Sequence, residues 1–98
     1  MLDIDAWAHQ GSWDKYIRSL IQNDKLTVEL WKFIESTPGL RGKTSLFITN
    51  DHGRHLDGKK NGFISHGDGC YGCRKISLIG LGPDFKVNAT VDKPYDLI

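Results

Sequence analysis

The sequence predicts an α/β fold of one long helix and two or three strands, and three stretches carry that expectation. Apolar residues recur at helical spacing between residues 12 and 37, a β-branched and aromatic run occupies 44–50, and a second apolar run at 76–81 is closed by Gly82-Pro83. A helix followed by a strand is the order in which α/β layers are built. With 98 residues the chain is one small domain at most, and a chain of that size buries only about 60–70% of its unfolded surface, so its stability is expected to be marginal.

Taken in order, Asp5 and His9 stand four apart, which puts both on one face if the segment forms a helical turn. Ser12 after Gly11 is placed to cap the long helix, and Pro38-Gly39 to stop it. Within it Trp13, Tyr16, Ile17, Leu20, Val28, Trp31 and Ile34 form one apolar face, read as core packing, with Asp24 either buried and hydrogen-bonded or at the edge of the stripe. The loop 38–43 leads to Thr44-Ser-Leu-Phe-Ile-Thr-Asn50, which has the length and composition of a buried strand. Between this strand and the one at 76–81 lies a long loop that holds six glycines and three of the four histidines, a length more often functional than filler. From Asp84 onward the tail reads as irregular, with room for one short strand. No internal repeat or low-complexity segment is present.

Composition excludes several classes. Hydrophobic residues make up 39% and charged residues 26% of the chain, which is neither disordered nor membrane-spanning in character. A net charge of +1 with signs interspersed leaves no basic stripe for nucleic acid. Met1 runs into the acidic Leu2-Asp3-Ile4-Asp5, so no secretion signal is expected. Cys70-Tyr71-Gly72-Cys73 is compatible with a redox pair, half a zinc site or two incidental thiols, and without a second such pair it is not a zinc ribbon. A thioredoxin-like role would need the pair to open a helix after a strand, whereas here it sits in a glycine-rich loop before one.

The residues with chemistry cluster around the first strand. Asp51-His52-Gly53 follows it directly, where ligands gather at the carboxyl ends of strands in α/β proteins. Neighbouring strand side chains point to opposite faces, so Asp51 and His52 can share an ion only if the backbone bends, which Gly53 eases. Asp5 and His9, a carboxylate and an imidazole, suit zinc or manganese. His66-Gly67 adds a third imidazole. Each of these alone is equally a helix cap beside a surface histidine, an ordinary strand-to-loop turn, or a solvated loop histidine. His55 is read as a loop residue without an assigned role.

The order of these pieces resembles the alkaline phosphatase superfamily, which includes phosphodiesterases, phosphonate hydrolases, cofactor-independent phosphoglycerate mutases and phosphopentomutases. The resemblance runs from Asp3 to about Pro83. Asp3-Ile4-Asp5-Ala6-Trp7-Ala8-His9 is similar to the family's first ligand pair, Thr44 to Gly53 to its strand and second pair, and Ser65-His66-Gly67 to its remaining histidine. Ile79-Gly80-Leu81-Gly82-Pro83 resembles the following strand, and Tyr95-Asp96-Leu97-Ile98 the start of a segment that continues into a Pro-Thr helix. The resemblance implies that residues 1–98 form a single partial domain from the C-terminal half of an alkaline-phosphatase-like fold, with the strands lying in a larger, mostly parallel sheet.

It also implies two divalent ions, zinc or manganese: Asp5, His9 and His66 on one, Asp51 and His52 on the other. A further Asp and the Thr or Ser nucleophile of the family have no counterpart here, so no catalytic residue is assigned and the chain alone is expected to be nearly inactive. So few carboxylates leave a net positive site for a small phosphorylated substrate. Imidazoles at His9 and His66 argue against the one-calcium sulfatase branch, since calcium prefers oxygen ligands. The expected parent is a two-metal hydrolase of phosphate or phosphonate esters. The alternatives are a metal-dependent phosphomutase, or a small non-catalytic metal-binding or interaction module with Cys70 and Cys73 as ligands. Strands without their neighbours are expected to promote self-association.

Overall fold

A computed structural model describes residues 2–92. Tyr95-Asp96-Leu97-Ile98, read above as the start of a further segment, lies outside the described residues. The elements are α1 (Leu2–His9), α2 (Trp13–Ser36), β1 (Leu46–Thr49) and β2 (Leu78–Leu81). This is a small mixed α/β unit, and among the described residues the tail after Pro83 contains no strand.

The long helix forms within one residue of its expected bounds. Its capping differs in one respect: Ser12 occupies the N-cap position, but its hydroxyl makes no capping hydrogen bond. Instead the Ser12 N–H donates to Trp7 O at 3.0 Å, and Ser12 O accepts from the Tyr16 N–H at 2.9 Å, so the turn joining α1 to α2 is satisfied through the backbone. Thr37 ends the helix with extended backbone, and its hydroxyl donates back to Phe33 O at 2.7 Å. Lys15 lies 4.1 Å from the centroid of the Trp7 ring, tying the two helices across that turn.

The expectation of a mostly parallel sheet is corrected. β1 and β2 pair antiparallel, with Leu46 opposite Leu81 and Thr49 opposite Leu78. The cause lies in element order. A parallel pair needs a crossover, usually a helix, between its strands, whereas here the helices precede β1 and residues 50–77 between the strands contain none. The chain therefore leaves β1 and returns at the same end, which aligns β2 the opposite way.

The expected core is also thinner than the apolar stripe implies. Of the stripe only Ile34 is buried; Tyr16, Ile17 and Trp31 are half-buried, while Trp13, Leu20 and Val28 are exposed, as is Asp24. Helix packs on helix and strand on strand, so neither layer covers the other. A helix of 24 residues is about 36 Å long, and two four-residue strands cannot blanket it. The radius of gyration is accordingly 16.0 Å, against about 13 Å for a compact domain of 100 residues.

What joins the two layers is the loop 50–77. Phe63 packs edge-on against Trp13 and Tyr16, with ring centroids 5.1 and 5.5 Å away. The same loop is tied to the strands by Asn50. Its carboxamide donates to His52 O at 2.9 Å and accepts from the Ser77 N–H at 2.8 Å, fixing the turn where the chain leaves β1.

Phe47, Leu78 and Ile79 are more than half exposed on the two-stranded sheet. Roughly 400 Å² of apolar surface left in water forgoes about 10 kcal/mol, the scale of a domain's entire stability. The isolated chain is therefore expected to self-associate or to bind a hydrophobic dye, and Phe47→Lys with Leu78→Lys should reduce both. Sedimentation as a compact monomer with a cooperative thermal transition and no dye binding would contradict this.

Candidate metal centre

The helical spacing of Asp5 and His9 is realised, since both fall on α1 and turn toward the loop. Asp5 Oδ2 lies 3.4 Å from His9 Nε2. His66, far along the loop, arrives at the same place: its Nε2 is 3.1 Å from His9 Nε2 and 3.6 Å from Asp5 Oδ1. His52 stacks on His66, with ring centroids 3.8 Å apart and an interplanar angle of 20°. Asp5, His52 and His66 each offer a ligand atom within 4.8 Å of the others. Four of the five residues singled out in the sequence are thus brought together.

Asp51 is placed differently. Its carboxylate is 89% exposed and lies 3.7 Å from His52 Nε2, and it does not join the converging group. Its Oδ1 accepts from the His52 N–H, a local turn bond that points the side chain outward.

How His66 returns to His52 is visible in the loop's own hydrogen bonds. Successive turns link Leu56 O to the Lys59 N–H and Lys59 O to the Gly62 N–H, and the excursion closes where the His55 N–H donates to Ser65 O at 3.1 Å. The second arm, 72–75, then runs against the first. The Gly53 N–H donates to Cys73 O at 2.8 Å. Here the role of Gly53 differs from the one expected. It does not adopt a positive φ; a Cβ on Gly53 would collide with Gly72 O and lie 2.8 Å from Lys75 O, while one on Gly72 would collide with Arg54 O. The glycines are required by close approach of two backbones.

Arg54 is the functional residue the sequence reading passes over. Its guanidinium, 13% exposed, binds Asp5 Oδ1 and donates to Phe63 O at 3.3 Å. With Oδ1 so occupied, Oδ2 is the oxygen turned to His9. The signal available in the sequence was a lone cation directly after Asp-His-Gly, beside carboxylates that need compensation. Burial, then the neighbouring His52, holds the His66 pKa below the ordinary histidine value; Asp5 opposes this, while Arg54 and His9 add to it.

The donor set can be tested against a metal by distance alone. Nitrogen and oxygen ligands about 2.05 Å from a tetrahedral zinc ion stand about 3.3 Å from one another. His9 Nε2 stands 3.1 Å from His66 Nε2 and 3.4 Å from Asp5 Oδ2, two separations of that size, whereas the 3.6 Å approach of His66 is to the other carboxylate oxygen, Oδ1, which Arg54 holds. Three imidazoles with one carboxylate match zinc in kind.

Because two backbones touch at Gly53, Gly53→Ala should cost about 2–4 kcal/mol in chemical denaturation and separate His52 from His66. Gly62→Ala, whose Cβ would meet only ordinary contacts at 3.6 Å or beyond, should cost under about 1 kcal/mol. Equal effects of the two would show that the backbone contact does not hold the centre.

No family model, curated protein or solved structure matches the chain, so the reading of this centre rests on its own donors and distances.

Proposed function

We propose that this chain carries the metal-binding part of a two-metal hydrolase of phosphate or phosphonate esters, of the alkaline phosphatase superfamily type. The observation that supports it most is the convergence of Asp5 and His9 on a helix with His66 from a distant loop, His9 Nε2 lying 3.1 Å from His66 Nε2 and 3.4 Å from Asp5 Oδ2. The residues that would hold the first ion are those three, with His52 stacked alongside; Asp51 and His52 are the remaining ligand pair of the proposal. The chemistry such ions supply when bound is Lewis acidity toward a phosphoryl oxygen and a lowered pKa for the attacking oxygen.

The chain's own residues have definite parts in this reading. Arg54 orients Asp5 so that one carboxylate oxygen faces His9, and it keeps positive potential beside the centre, which favours an anionic substrate. No nucleophile is assigned. Among the described residues no serine or threonine hydroxyl bonds to a member of the cluster; those of Thr49 and Ser45, for example, go to Ser77 O and Asp84.

Calorimetric titration tests the proposal. With Cys70 and Cys73 replaced by serine, so that their thiols cannot hold the ion, zinc or manganese should bind the chain, and adding His9→Ala with His66→Ala should weaken binding by on the order of a hundredfold. Inorganic phosphate should bind the zinc-loaded chain and not the metal-free one. Turnover of aryl phosphates should stay far below the roughly 1–1,000 per second of ordinary enzymes. Equal zinc binding by both proteins would sink the proposal. Rapid turnover abolished by Asp51→Ala would show that a nucleophile is present after all.

A further inference from the structure

On the far side of the same loop lies a second group of donors that the hydrolase reading does not use. Cys70 and Cys73 are both free thiols, half-buried and buried respectively, with their sulfurs 3.4 Å apart. Asp68 Oδ1 sits 3.4 Å from Cys73 Sγ and 3.2 Å from His55 Nε2, and also accepts from the Cys70 N–H at 3.0 Å. All four residues offer a ligand atom within 4.8 Å of the others.

Hydrogen bonding does not explain why His55 is there. Its side chain is 14% exposed, and neither ring nitrogen has a hydrogen-bond partner, because the approach of Nε2 to Asp68 has the distance of a hydrogen bond without its direction. Buried polar groups are normally paired, and an orphaned imidazole in a native site calls for a partner. Two sulfurs, a carboxylate oxygen and an imidazole nitrogen at one point supply it. Around a tetrahedral zinc ion, with bonds of about 2.3 Å to sulfur and about 2.05 Å to nitrogen and oxygen, the edges would be roughly 3.3 to 3.8 Å. Three of the six edges, at 3.4, 3.4 and 3.2 Å, need only a slight expansion, and the other three lie within 4.8 Å.

We propose that His55, Asp68, Cys70 and Cys73 form a structural site for a thiolate-seeking divalent ion of the zinc type. Two soft sulfurs select zinc over magnesium, calcium or manganese, and four protein ligands leave no open position for substrate, which is the pattern of structural sites. The placement gives the site a task. His55 follows His52 by three residues and Asp68 follows His66 by two, and Cys73 O already receives the Gly53 N–H. An ion held here clamps together the two loop arms that present His52 and His66 to α1. The proposal stands independently of the hydrolase reading, because it rests on different side chains and assigns no reaction.

Cobalt(II) titration of the full chain, reduced and freed of metal, tests it. A thiolate-to-cobalt charge-transfer band with the intense visible bands of a tetrahedral ion should appear, and zinc should displace it. The band should persist in His9→Ala with His66→Ala, which removes the other centre, and disappear in Cys70→Ser with Cys73→Ser. His55→Ala should weaken zinc binding by on the order of tenfold to a hundredfold and shift the visible bands. Zinc should also slow the reaction of both thiols with a disulfide reagent. The wild-type chain alone can overturn the proposal: cobalt taken up with no thiolate band, or thiols equally reactive with and without zinc. Zinc binding unchanged after air oxidation has joined Cys70 to Cys73 would overturn it as well.

Discussion

The contact on which the rest depends is between backbones, where Gly53 and Gly72 pass so closely that neither has space for a Cβ. Its hydrogen bond, Gly53 N–H to Cys73 O, is the point at which a loop that has wandered across residues 54–71 is closed against its own beginning. Asn50 reinforces the closure from the strand side by reaching His52 O, Lys75 O and the Ser77 backbone. Little else holds the loop in shape, since the buried apolar residues number three in the described chain and only Cys73 lies within it. Polar closure substitutes here for a core, and a small chain with little to bury has few other ways to fix side chains in place.

From that closure the chemistry follows on both sides. On one side His52 and His66 are stacked and carried to the face of α1 that bears Asp5 and His9. The Asp5 carboxylate beside these three imidazoles is compensated by Arg54, which reaches it from the loop and is itself held by Phe63 O. On the other side His55 and Asp68 meet the two cysteines. The two groups share a backbone, so whatever tightens one must be felt by the other.

Much of the secondary structure was legible in the sequence, and for physical reasons. The long helix announces itself by spacing and by the Pro38-Gly39 stop, β1 by its β-branched and aromatic run, and the i,i+4 relation of Asp5 to His9 places both on one helical face. The direction of β2 was not legible from strand content. It is decided by where the helices fall in the chain, and none falls between the strands. Nor did the apolar stripe reveal its exposure, because periodicity reports which residues share a face and not whether anything covers it; Val28 and Leu20 remain in water. At the candidate centre, His9, His52 and His66 could be named from residue type and order. Arg54 and the grouping of His55 with Cys70 and Cys73 could not, since both arise from loop closure between residues many positions apart.

The central claim is that histidines from a helix and from two arms of one loop converge on a common ion. Imidazole nitrogen-15 spectra of the reduced full chain under zinc titration test it most directly, because coordination shifts the ligating nitrogen and fixes the tautomer of the ring. His9 and His66 are expected to shift together, with His52 perturbed in the same step, while His55 shifts in a separate one. Four histidine signals unmoved by zinc, or His9 moving without His66, would contradict it.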